Sequence, residues 1–224
     1  MRAILILALF ATSVPKDMEQ ARDRQDRTGL ERIVATCTAA ANNQPNDAQS
    51  QYMVALSNSY LAEVATELKD KNAARAAAES GIKSAEKALA LKGDVAEYHR
   101  VLGTLCGQVI PANVLAGLKY GRCALDSINK AIQMDPKSAI AYVSRGVGNY
   151  YLPPSFGGGA DVALKDIEKA LQLDPKSSDA YLWKGVVLRK LQRNAEAHAA
   201  FEKSLQLNPD RLWTKQQLEK TPAK

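Results

Sequence analysis

Histidine and cysteine are scarce in this chain of 224 residues, with two of the first and three of the second. His99 and His198 fall in different segments, and neither has a neighbouring Ser, Cys or carboxylate in a catalytic pattern. Cys37, Cys106 and Cys123 lack the paired spacing of a zinc site, so no metal, no cofactor and no catalytic constellation is expected. Blocks of like charge are missing too: 30 Lys and Arg stand against 24 Asp and Glu, a net +6 interspersed along the chain. That pattern reads as a solvated surface and not as a nucleic-acid footprint. Aromatic residues make up only 6% and alanine is abundant, as suits thin, closely packed helices.

Long apolar runs are absent as well. "AILILALFATSV", after Met1-Arg2, is 12 residues, too short to span a bilayer, and nothing later approaches that length of about 20 residues. A positive start, an apolar stretch and the small residues Ala11-Thr12-Ser13 read as a signal peptide over 1–13. The expected location is therefore periplasmic or secreted, or cytoplasmic if the run is a buried or anchoring helix. The remainder, 14–220, reads as one domain with a frayed tail at 221–224.

What is present is a repeated phrase. "INKAIQMDPKSAIAY" at 128–142, "IEKALQLDPKSSDAY" at 167–181 and "FEKSLQLNPDRLW" at 201–213 place Pro136, Pro175 and Pro209 at intervals of 39 and 34. A period of this size is the mark of stacked helical hairpins. Upstream, Leu30, Ile33, Val34 and Cys37 keep helical spacing until Asn42, Asn43 and Pro45. Asp47 caps a helix over 48–68, and "KDKN" leads into another over 72–91. Asp94 is expected to cap a helix reaching Ile110, broken by Pro111-Ala112-Asn113 and followed by a long helix over 114–134. Helices over 138–151, 160–173, 178–190 and 194–207 and a short one within "DRLWTKQQLEK" complete the chain, with Leu212 and Trp213 covering the last apolar edge.

In 178–211, Tyr181, Gly185, Leu188, Ala197, Phe201 and Pro209 stand at the fourth, eighth, eleventh, twentieth, twenty-fourth and thirty-second positions of a 34-residue unit. Tyr142, Gly146, Ala163, Ile167, Ala170 and Pro175 repeat the pattern with five extra residues in the turn. This half resembles the tetratricopeptide repeat family. Ser204, where the family has Ala, is a departure, and the match weakens upstream, where Gly103 and Ala124 are separated by 21 residues. The resemblance implies an all-α, right-handed solenoid of antiparallel hairpins, about four to five in number, with a C-terminal capping helix. It also implies a concave groove that binds a protein or peptide and carries no enzyme activity. Carried over position by position, the groove comprises Arg100, Thr104 and Gln108, then Val143, Val147, Tyr150 and Tyr151, then Leu182, Val186, Arg189 and Lys190. Val143 and Leu182 occupy two basic positions of the family's carboxylate-clamping members, so that chaperone function is not expected.

The loop "LPPSFGGG" is the least repeat-like piece. Pro153 and Pro154 stiffen it, Phe156 is expected to plug an apolar gap, and Gly157, Gly158 and Gly159 permit unusual backbone angles. A glycine run before a helix can cradle a phosphate, but "GGGADVALK" lacks the Lys-Ser/Thr of nucleotide loops, so a structural role is preferred. Cys106 and Cys123, on facing helices, are either a disulfide in an oxidising compartment or two small buried thiols; the second reading is preferred, and Cys37 is expected to be buried. Two functions stand: a protein- or peptide-binding scaffold, or a periplasmic small-ligand-binding subunit of a transporter, which requires an enclosed apolar channel.

Overall fold

The computed structural model describes residues 14–110 and 114–223. The signal-peptide reading of 1–13 and the break at Pro111-Ala112-Asn113 lie outside the described residues. The described chain forms eleven α-helices and one 3-10 turn, with no strand among the described residues. Five antiparallel hairpins follow one another: α1 (14–23) with α2 (Arg27–Asn43), α3 (Ala48–Glu67) with α4 (Lys71–Leu91), and α5 (Ala96–Val109) with α6 (Val114–Met134). Then come α7 (Ala139–Tyr151) with α8 (Ala160–Leu173) and α9 (Ser178–Lys190) with α10 (Asn194–Leu207). The single-helix cap α11 (Leu212–Glu219) closes the array. The expected all-α hairpin solenoid with a capping helix is the observed architecture.

Local chemistry sets the helix boundaries. Asp26, Asp47 and Asp70 each accept a hydrogen bond from the backbone N–H three residues on, at 2.8, 2.8 and 3.0 Å, satisfying donors that a helix start leaves free. Asp94 does not play this part: α5 begins one residue later, with Val95 at its N-cap and no side-chain bond. Three of the turns within hairpins are alike. Gln25, Lys69 and Gln192 take φ values of 52°, 64° and 62°, and the next residue's N–H returns to the carbonyl five residues back, in Asp26→Ala21, Asp70→Ala65 and Arg193→Leu188.

The core is built from helix faces closely spaced at small residues. A Cβ on Gly185 would lie 2.6 Å from the Phe201 ring, so α9 and α10 approach to a distance that only glycine allows. The apolar interior divides in two. One body runs from Met18 through Val54, Ala78 and Leu105 to Ala124. The other gathers Leu164, Leu182, Val187, Leu188 and Phe201 with Trp183 and Trp213, and the adjoining Val143, Ile167 and Ala180. Between them Ile128 and Ile132 of α6 meet Ala141 and Tyr142 of α7.

Three expectations need correction. Cys106 and Cys123 form a disulfide with Cα atoms 6.0 Å apart, because α5 and α6 face each other there; the buried-thiol reading holds for Cys37 alone. Phe156 plugs no gap: the turn Pro154–Phe156 directs it outward, 74% exposed. Thr221 is not part of a frayed tail, since it is buried and its hydroxyl donates to the Gln217 carbonyl at 2.7 Å.

A further feature closes the array on itself. Arg22 of α1 donates to Asp179 of α9, Asn208 donates to Asp23 at 2.7 Å, and Arg211 reaches Glu63 and Glu67 of α3. Gln216 donates to Gln25 at 3.0 Å. The first and last hairpins thus meet, and the solenoid forms a ring.

A candidate binding surface on the inner face

The expected groove residues separate into three groups. Arg100, Thr104 and Gln108 lie together on α5 within a hydrogen-bonded belt. Thr104 Oγ1 and Arg100 Nη1 donate to Ser144 Oγ of α7, each at 3.3 Å, and Gln108 Nε2 donates to the Ser59 carbonyl of α3 at 3.0 Å. Arg100 is also held by Glu97 at 2.7 Å through Nε, which keeps its buried guanidinium charged. These groups stitch neighbouring hairpins and are committed to one another.

Val143, Leu182 and Val186 are turned into the core, at 7, 1 and 5% exposure, and offer no groove surface. The reason is the apolar cover supplied by neighbours: Leu182 and Val186 pack in the cluster that Tyr150, Trp183 and Trp213 border, and Val143 packs with Ile167 and the half-buried Val147.

Tyr150, Tyr151, Arg189 and Lys190 form the third group. The Tyr150 and Tyr151 rings meet edge to face at 4.9 Å, and Trp183 stands 6.0 and 6.3 Å from them, backed by Trp213 at 5.5 Å. Lys190 lies with Nζ 4.2 Å above the Tyr150 ring while donating to the Tyr150 carbonyl at 2.8 Å. Tyr151 remains 52% exposed. Local burial, the Tyr150 hydroxyl and the Glu67 carboxylate across the ring push its phenol up to about 12. Arg189 has a structural task, donating to the Gln217 side chain at 2.6 Å and to Thr221 at 3.1 Å, so it fastens the cap to α9. Trp183 is the member of this patch that repeat positions did not single out; only its being one of two tryptophans marks it in the sequence.

The glycine loop cradles no anion. The Gly157, Gly158 and Gly159 amides donate to the carbonyls of Pro154, Pro153 and Asn149 at 2.9, 3.2 and 2.8 Å. Gly157 and Gly159 adopt φ of 84° and 109°, the conformations for which glycine is needed. The loop's role is to turn the chain from α7 into α8. Its base is braced by Asp166, which accepts from Asn149 at 2.8 Å and from Arg145 Nη2 at 2.7 Å.

Facing Tyr151 is the polar joint that closes the ring. Arg211, 1% exposed, donates to Glu63 Oε1 at 2.7 Å and to both oxygens of Glu67. Arg22 donates to Asp23 at 2.8 Å through Nη2 and to Asp179 at 2.8 Å through Nη1. Two guanidinium groups therefore meet four carboxylates. Burial pushes the Glu63 carboxyl up to about 7, with Arg22 and Arg211 opposing and Glu67 and Asp179 adding to the rise. For Asp179, burial acts upward but Arg22 and Arg211 outweigh it, and its carboxyl lies below the usual range. Sequence offered no signal for this joint, because its members look like ordinary charged positions on helix surfaces.

Two clefts stand out among the described residues, and both are open to solvent. One, of about 410 Å³, lies against α1 and α2 and is lined by Asp17, Arg24, Asp26 and Arg32 among others; the second, of about 270 Å³, lies beside Tyr181, Lys184 and Glu196. Among the described residues no His, Cys, Asp and Glu cluster could hold a metal, and no helix is long and apolar enough to cross a membrane.

Helical hairpins stacked in series, four of the five with a glycine where their paired helices approach, and ended by a single-helix cap, define a repeat solenoid. Residues 178–211 match the family model of the tetratricopeptide repeat, and the fold is that of a tetratricopeptide-repeat protein. A thermophilic tetratricopeptide protein of Thermus thermophilus superposes with a TM-score of 0.63 at 18% identity, covering 90% of this chain and 97% of that one. YrrB, described as a tetratricopeptide protein with an unusual peptide-binding site, gives 0.46 at 18% identity over 92% and 97%. MamA from Desulfovibrio magneticus RS-1 gives 0.47 at 16% identity over 90% and 96%. No curated protein matches the sequence.

Proposed function

We propose that the chain is a non-enzymatic scaffold that docks a peptide or protein segment on the aromatic patch of its inner face. The observation that carries this reading is Tyr151: a large ring, half exposed, held edge-on by Tyr150 and flanked by Trp183. Rigid aromatic groups with a polar tip lose little freedom on binding, which is why they serve as anchors. The test is selection of a peptide library on the purified chain, followed by titration of a selected peptide. Tyr151→Ala is expected to weaken it at least about tenfold with unchanged melting. Failure to select any peptide, or equal binding by the variant, rejects the patch.

The proposed location is an oxidising compartment outside the cytoplasm. The Cys106–Cys123 disulfide and the short apolar run after Met1-Arg2 support it. Thiol alkylation of the native protein before and after reduction, with sequencing of its N-terminus, tests it; two reactive thiols released only by reduction are expected. The small-ligand reading needs an enclosed apolar channel, and the two clefts, both open to solvent, lend it no support.

A further inference from the structure

The two bodies of the ring meet in two places. One is the α6–α7 seam, where Ile128, Ile132, Ala141 and Tyr142 join the two bodies and Ser144 accepts from Arg100 and Thr104. The other is the joint between α1–α3 and the α9–α11 end, which is polar throughout. None of the five apolar clusters among the described residues has members from both sides of that joint. Each body therefore keeps its own core whether the joint is made or broken.

The joint's composition makes it separable. It consists of long side chains reaching across, with four carboxylates against two guanidinium groups, so the cost of removing these charges from water is offset by their pairing alone and not by apolar burial. Each arginine is also positioned by its own body. Arg22 lies 5.4 Å from the Tyr60 ring and Arg211 lies 5.8 Å from Trp213, so both halves of the joint keep their shape when apart. Separation at the joint hydrates the charges and divides no apolar cluster among the described residues.

We propose that this joint is a latch: Arg22–Asp179 and Arg211–Glu63/Glu67 open and close the ring about the α6–α7 seam with both bodies folded, and so gate the inner face. The gating consequence rests on the reading of Tyr151 as a docking group; the opening itself is a property of the chain alone.

Hydrogen exchange and small-angle scattering on the full chain test it, with Arg22→Gln/Asp179→Asn compared with wild type. The pair is removed together so that Asp179 is not left without its cation, while Asp23 keeps Asn208 and Arg211; Asp179→Asn alone, at a side chain 33% exposed, is the milder second variant. The expected result is amide exchange at least about tenfold faster in α1 and α11, a larger radius of gyration, and unchanged protection at Leu105 and Phe201. Uniform acceleration through both cores, or no change in α1 and α11, overturns the latch. A peptide selected for Tyr151 is then titrated into both forms, and a faster association with the opened form is expected; equal association rates and affinities overturn the gate. Should selection yield no peptide, the docking reading fails while the exchange pattern still decides the latch.

Discussion

Arg22 and Asp179 are separated by 157 residues of chain, yet the Arg22 Nη1 donates to the Asp179 carboxylate at 2.8 Å. This bond belongs to no repeat. It joins the first hairpin to the fifth, and together with Arg211 it turns an open-ended solenoid into a ring.

Arg211 is the most consequential single residue of that joint. Truncation by Arg211→Met leaves Glu63 and Glu67 buried without their shared cation, and a loss of about 3–5 kcal/mol is expected in urea unfolding. Neutralising both partners in Arg211→Met/Glu63→Gln/Glu67→Gln is expected to recover most of it. A triple variant as unstable as the single one would show that packing of the arginine, and not charge matching, dominates.

Glu63 gives the joint a definite pH signature. Its carboxyl is pushed up to about 7 against an ordinary 4.5, so the folded chain holds a proton there that the unfolded chain releases. The stability it contributes is fully present below about 4.5 and is lost as pH rises through about 7. Glu63→Gln mimics the protonated form, and its melting temperature is expected to exceed wild type by about 3 °C at pH 8. The two should converge near pH 5; a constant offset at every pH would count against this assignment.

The disulfide closes a segment of 17 residues between α5 and α6. Cys106→Ala/Cys123→Ala is expected to cost about 3 kcal/mol, mainly by freeing the unfolded chain. Reducing the wild type should reproduce most of that loss in the same denaturation experiment.

Glycine substitutions discriminate packing from propensity. Gly185→Ala drives a methyl group into the Phe201 ring, and about 1–3 kcal/mol of destabilisation is expected. Gly148→Ala, on the same kind of helix with nothing within 4 Å of the added carbon, is expected to stabilise by about 0.5–1 kcal/mol. Thermal melts of the two variants should move in opposite directions.

The hairpins were legible in the sequence because short-range signals write them. The expected 160–173, 178–190 and 194–207 are the observed helices, and Gly185 opposite Phe201 sits where the repeat pattern requires. Asp94 misled because Val95 at the next position is already extended and begins the helix without a side-chain bond. The groove transferred poorly for a different reason. Position in a repeat says that Leu182 and Val186 point inward along the ring, but not that Trp213 and Tyr150 complete an apolar cover around them. The joint was invisible, since contacts separated by more than 140 residues leave no periodic trace, and Asp23, Glu63 and Asp179 resemble any solvated charge until the ring closes.

The three matching turns at Gln25, Lys69 and Gln192 carry a lesson for anyone wishing to redesign this molecule. They belong to the first, second and fifth hairpins, whereas the fourth, beside the α6–α7 seam, connects its helices through the "LPPSFGGG" loop. This irregular loop thus lies away from the joint that closes the ring. Grafting the short left-handed turn onto the fourth hairpin would give it the connection of the fifth, and the diameter of the ring would become a quantity to be chosen by the number of such units inserted.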